Sequence, residues 1–217
     1  MVDTRPPILS SPPAPIQPQD VKARILTMAT RLFGERGYEA TSIQAIAEAA
    51  GVRKQSLLYH YPSKELLHHA VIEAWLLHWR DDLPKLMAQS SGYDRFSATV
   101  TALLVFFRED PNRARLALRE MLDRPDALQR QMNEHLSPWI KLLADFIRMG
   151  QASGLLRSQV NPDAYVVQVL LMVMTSVAVG NVASSLVGMQ QETDVNELVR
   201  MARDALFVAP PVQTLKG

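Results

Sequence analysis

The sequence contains no cysteine, which excludes a disulfide framework and all thiolate-ligated zinc or iron–sulfur chemistry and fits a cytoplasmic setting. Neither charge is in excess. Lys and Arg number 23 against 22 Asp and Glu, a formal net charge of +1, so any contact with nucleic acid or an anionic membrane has to be local. No glycine-rich phosphate loop, nucleophile elbow or His-Glu-x-x-His motif occurs, and with them the common routes to catalysis drop out. Runs of strict apolar–polar alternation are missing too, which argues against a sheet. The most apolar segment, Val169 to Gly180, is interrupted at Thr175 and flanked by Gln168, Asn181, Ser184 and Ser185, a poor match to the roughly 20 apolar residues of a membrane span. No membrane is therefore expected. Residues 1–19 hold six of the fourteen prolines without the basic start and apolar stretch of a secretory leader, and read as a disordered Pro-rich leader.

What remains is a chain with 47% hydrophobic and 21% charged residues, enough to build a packed core. Apolar residues recur at three- and four-residue steps from Val21 onward, the helical period. Val21, Ile25, Met28, Ala29, Leu32 and Phe33 form the first stripe, ended by Gly34 and Gly37. Thr41, three residues before Gln44, has capping-box spacing for a short second helix, and Gly51 stops it. A third short helix is anchored by Leu57, Leu58 and Tyr61 and closed by Pro62. Ser63 then caps a longer helix over 64–87 that Pro84 is expected to kink or end. Further helices are read over 94–108, 112–123, 126–153 with a bend at Pro138, 162–187 and 194–207. The fold class is all-α with about nine helices: a head over 20–68, a larger body over 69–209 and a tail over 210–217.

The segment from Thr41 to Val52 carries the most specific chemistry. Two helices cross steeply only where small residues meet and a glycine permits the tight turn, and Ala47, Ala50 and Gly51 supply both. The unit reads as a helix-turn-helix. Its second helix presents Arg53, Lys54, Gln55, Ser56, Tyr59 and His60, donors suited to phosphates and base edges in a major groove about 12 Å wide. Thr41, Ser42 and Gln44 on the first helix and Lys64 beyond the second complete the candidate DNA contacts. Residues 20–68 carry seven Lys and Arg against five Asp and Glu, a net of +2, whereas the rest nets −1. Arg53, Lys54 and Lys64 flank the third helix with no acid between Glu48 and Glu65.

Here the sequence resembles the TetR family of transcriptional regulators. The resemblance is carried by Phe33-Gly34-Glu35-Arg36-Gly37-Tyr38, Thr41-Ser42, Ile46-Ala47, Ala50-Gly51-Val52, Leu57, Tyr61 and Ser63-Lys64-Glu65-Leu66-Leu67. It departs from the family at Arg53, where Ser or Thr is common, and at Leu58, where an aromatic residue often follows the leucine. The resemblance implies a three-helix DNA-binding head joined through the fourth helix to a helical body that dimerises, usually through its last two long helices. It also implies a double-stranded operator and a small-molecule effector, with repression as the family habit. An effector that tilts the fourth helix would move two recognition helices out of the spacing of about 34–36 Å that successive major grooves require.

In the body, methionines and aromatics could line a cavity for a flexible apolar effector. The candidates are Trp75, Phe106, Phe107, Met121, Met132, Trp139 and Met172, with Asn181, Gln168, Arg119 or His135 as orienting polar groups. Ala178, Gly180, Ala183 and Ser184 are small enough for close helix approach, and Leu198, Met201, Ala202 and Ala205 repeat at helical spacing. These mark a homodimer interface. Glu65 and His68 have the spacing of a di-iron helix, but that site needs two such motifs, so neither metal nor cofactor is expected, and no enzyme. The competing classes are a helical di-iron or lipid-carrying protein and an unregulated architectural DNA binder.

Overall fold

The computed structural model describes residues 18–89, 92–187 and 191–208; the candidate tail and residues 1–17 of the candidate leader fall outside them, while Pro18 and Gln19 begin the first helix. Ten helices occur among the described residues: α1 (Pro18–Arg36), α2 (Ile43–Ala49), α3 (Lys54–His60), α4 (Lys64–Gln89), α5 (Gly92–Glu109), α6 (Pro111–Asp123), α7 (Pro125–His135), α8 (Ser137–Ala152), α9 (Pro162–Val187) and α10 (Gln191–Leu206). No strand occurs among them, only an isolated bridge between Leu156 and Phe207 that ties the α8–α9 loop to the end of α10.

Three local readings are corrected. α1 runs through Gly34 to Arg36, and Gly37 follows it with a φ of +85° that suits a residue without Cβ. Pro84 neither ends nor shortens α4, which continues to Gln89. The stretch 126–153 is two helices, because Pro138 falls in the first turn of α8, where its missing N–H is no loss, and Leu136 becomes the joint.

The N-cap of α2 is Ser42 rather than Thr41. Ser42 has extended backbone (φ −101°, ψ 152°) and its Oγ accepts from the Ala45 amide at 3.1 Å. Thr41 is 1% exposed; its hydroxyl donates to the Gly37 carbonyl at 2.7 Å, with the Leu32 carbonyl 3.1 Å away. It fastens the α1–α2 loop to α1.

The head core is built from Ile25, Ala29, Leu32 and Phe33 of α1, Ile46 and Ala47 of α2, Leu57 of α3, and Leu67 and Val71 of α4. Leu116 of α6 is fully buried in the same cluster, and burying a leucine is worth about 1.5–3 kcal/mol. α6 is thus held to the head by packing although it belongs to the body in sequence. A second cluster joins Val100, Leu104, Phe106 and Phe107 of α5 to Val169, Val173 and Met174 of α9 and to Leu198 and Ala202 of α10.

α9 is not buried on all faces. One side packs on the body, but only 17% of Pro162–Gly180 is buried within the chain. By length and composition this helix could cross a membrane. Its outward side carries Val167, Gln168, Thr175, Val179 and Val182, alongside the exposed Met201 of α10.

Candidate nucleic-acid interface and internal cavity

Gly51, at φ +66°, makes the turn between α2 and α3, and the Val52 amide bonds back to the Ala47 carbonyl at 2.9 Å. Leu57 pins α3 to the core at zero exposure. The polar residues of α3 therefore lie on its free side: Arg53, Lys54, Gln55 and Tyr59 are exposed, and Ser56 and His60 are half-buried. Arg53 occupies the N-cap position without a capping hydrogen bond, as expected of a side chain that cannot accept one. Tyr59 is 84% exposed, its ring edge-on to His60 at 5.3 Å. Of the remaining candidates, Ser42 and Gln44 are exposed, with the Gln44 amide donating to Glu48 at 2.7 Å. Thr41 is buried and points away from this surface. The Lys64 ammonium sits 4.2 Å from the Tyr38 ring centroid and 3.4 Å from the Glu39 carbonyl.

Head and body meet along α1, α4 and α6. At Gly34 a Cβ would lie 2.7 Å from the Asn112 carbonyl oxygen, so only glycine lets α6 approach this closely. Arg119 of α6 donates to the carbonyls of Gly34 at 3.0 Å and Glu35 at 3.3 Å, satisfying acceptors that a helix C-terminus leaves open. At the next residue, Glu120 Oε1 lies 2.9 Å from His68 Nε2, both side chains buried. Arg124 reaches His68 Nδ1 at 3.2 Å and both oxygens of Glu65 at 2.7 and 2.9 Å, and lies 4.0 Å from the Tyr38 ring. The Tyr38 hydroxyl donates to Glu65 at 2.7 Å. Burial, helped by this bond, raises the Tyr38 hydroxyl to about 12. The same bond, with Arg124, holds the Glu65 carboxyl below the ordinary range against the opposing effect of burial. The Glu65–His68 spacing thus serves an ion-pair network. The sequence offers no signal for it, because its bonded partners lie 27 to 59 residues apart.

Beneath this junction the body holds a partly open cavity of about 280 Å³. Trp75, Phe106, Phe107, Met121, Met132 and Trp139 all line it; Met172 does not, and Met174 takes its place. Arg119 is committed to α1 rather than to the cavity, Gln168 is exposed, and the side chains of Asn181 and His135 lie outside the described residues. The sequence reading missed Arg95, Thr99 and Tyr165 on the wall.

Among the candidate dimer residues, Leu198 is a core residue at 7% exposure and Ala178 is half-buried against the same cluster. Gly180 faces open space, Met201 and Ala205 are exposed, and the side chains of Ala183 and Ser184 lie outside the described residues.

A helix-turn-helix head with a polar outer face, bolted to an all-helical body around an apolar cavity, defines a helix-turn-helix regulatory protein. Residues 25–71 match the family described as bacterial regulatory proteins, tetR family, and residues 94–205 match the tetracyclin repressor-like C-terminal domain. The chain belongs to the TetR family. It is 31% identical over 134 residues to the HTH-type transcriptional regulator RutR of Escherichia coli, a match covering 60% of this chain and 63% of that one. It shares its fold with the hemolysin II transcriptional regulator HlyIIR at a TM-score of 0.65, with 22% identity over 85% of this chain and 98% of that one. It also does so with the transcriptional regulator FadR of Bacillus subtilis, solved with stearoyl-CoA, at a TM-score of 0.69, with 14% identity over 84% and 98%. The family members named are transcriptional regulators, not enzymes.

Proposed function

We propose that the protein is a cytoplasmic, homodimeric, sequence-specific DNA-binding repressor released from its operator by a small, largely apolar effector. The observation that carries this reading is the double duty of α6. Its Ala117 and Met121 line the cavity, while its Asn112, Leu116, Arg119 and Glu120 engage the head. An effector that pushes on the first pair displaces the second set, and with it the C-terminus of α1 and the start of α4. This supports α6, in addition to a tilt of α4, as the element that carries the change. Arg53, Lys54, Gln55, Ser56, Tyr59 and His60, with Ser42 and Gln44, form the DNA-facing set. The apolar outer side of α9 with Met201 and Ala205 supports pairing with a second copy, since a twofold axis lets each patch cover its copy.

The experiment is fluorescence anisotropy of the full chain against fragments from the region upstream of its own coding sequence. One fragment is expected to bind at least about 10³-fold more tightly than random DNA, with a footprint of two symmetric half-sites. Equal affinity for every fragment would remove the sequence-specific reading.

A further inference from the structure

Every helix from α4 to α10 contributes to the cavity wall, and most of what they contribute is hydrocarbon or ring. The few polar groups on it are already in use. A hydroxyl has one proton to give, and both wall hydroxyls give theirs to the backbone: Thr99 donates to the Arg95 carbonyl at 2.8 Å and Tyr165 to the Ala202 carbonyl. Burial pushes the Tyr165 hydroxyl well above its ordinary value, so it stays neutral. Arg95 is the one charged side chain among the described lining residues, and it has partners of its own within the protein, the Phe146 ring at 5.0 Å among them. The other donors among the described lining side chains are the indole N–H groups of Trp75 and Trp139, and a single neutral donor does not replace the hydration of an ion. The volume sets a scale as well. An apolar cavity of about 150 Å³ takes one benzene, and this one, at about 280 Å³, is nearly twice as large.

We propose that the ligand of this cavity is an uncharged, hydrocarbon-like molecule with the bulk of about two fused rings, carrying neither a carboxylate nor an ammonium group. This rests on the apolar-effector reading above and gives that effector a charge and a size. The wall selects against an ion because its one charge and both its hydroxyl protons are committed to the protein, so a charged group would lose its water without gaining a partner. It selects for bulk because a smaller molecule leaves part of the apolar wall uncovered, and each uncovered area forgoes transfer energy and contact.

The test is calorimetric titration of the full chain at pH 8 with benzene, naphthalene, 2-acetylnaphthalene and 2-naphthoate. The last two have nearly the same shape and differ in charge. In wild type naphthalene binds saturably, about tenfold more tightly than benzene, and 2-acetylnaphthalene binds at least about a hundredfold more tightly than 2-naphthoate. Leu103→Trp and Leu143→Trp introduce an indole from α5 and from α8, two separate parts of the wall, and each variant is checked for unchanged circular dichroism. In them naphthalene weakens by at least about tenfold while benzene, which still has room, changes by less than about threefold. Binding of 2-naphthoate as tight as that of 2-acetylnaphthalene overturns the charge assignment. Naphthalene no tighter than benzene in wild type, or undiminished in the folded variants, overturns the size. Either result leaves the apolar-effector reading standing, whereas no saturable binding of any of the four compounds overturns both.

Discussion

Arg119 donates to the carbonyl of Gly34 at 3.0 Å across the seam between α6 and α1. The bond joins a helix that lines the cavity to the helix that supports the head, at the point where the absence of a Cβ brings the two backbones together. Its value is both structural and functional, and the two can be separated.

Arg119→Ala removes two charge-assisted bonds to the end of α1 while leaving the cavity wall intact. The expected loss of stability is about 1–2 kcal/mol, toward the low end for such bonds because the site is partly exposed. Coupling between two sites is typically five- to 150-fold in affinity, and in this variant the effector-induced drop in operator affinity should move to the low end of that range. Urea unfolding measures the first quantity, and operator titration with and without effector the second. An unchanged effector response would exclude Arg119 from the coupling.

The junction should also weaken in acid. The folded Glu65 carboxyl sits below its ordinary value of 4.5, chiefly through the Tyr38 hydrogen bond and then Arg124, with burial opposing. A depressed value means that the group stabilises the fold above 4.5 and that this stabilisation disappears as pH falls through the folded value. Wild type should therefore melt above Glu65→Gln at pH 7, and the two should converge well below pH 4.5. A gap that persists unchanged in acid would contradict this.

Lys54 and Gln55 are neighbours on the free side of α3 with different expected signatures. Lys54→Ala should weaken binding on all sequences alike and lower the salt slope by about one, the mark of a phosphate contact. Gln55→Ala should lose about 1–3 kcal/mol at one base position and little on random DNA. Lys64, stacked on Tyr38 and close to the Glu39 carbonyl, should change the salt slope less than Lys54. Equal slopes for the two lysine variants would place Lys64 in the interface after all.

Val179 is half exposed in the middle of the outward side of α9. Val179→Arg puts a charge where a second copy is expected to pack, and an unpaired buried charge is strongly destabilising to such a contact. Sedimentation at micromolar concentration should show wild-type dimers and variant monomers, with operator binding lost and helicity kept. A monomeric wild type, or an unaltered dimer in the variant, rules out this face.

The helix-turn-helix could be read from the sequence because its determinants are local: Ala47, Ala50, Gly51 and Leu57 stand within eleven residues and each has one evident role. The cap of α2 was less legible, since Thr41 and Ser42 are adjacent hydroxyl residues. The spacing to Gln44 favoured Thr41, but only the packed α1–α2 loop shows that its hydroxyl is used inward. On α9 the near absence of a polar face left no stripe to orient the helix, so Met172 and Met174 could not be told apart, and small residues that face inward or outward looked alike. The network of Tyr38, Glu65, His68, Glu120 and Arg124 was hidden for a different reason. It is assembled wholly by tertiary contact, and each member alone looks like an ordinary charged or aromatic helix residue.

The chemistry of the cavity wall bears on how such a protein diversifies. Most wall side chains are apolar and hold no hydrogen-bond network together, so exchanging one for another of similar volume leaves no orphaned polar group and usually changes stability by less than about 1.5 kcal/mol. The junction on the other side of α6 has no such freedom, because its glycine, its arginines and its buried carboxylate depend on one another. Descendants of this chain can therefore drift in what the cavity admits while the contact between body and head stays unchanged.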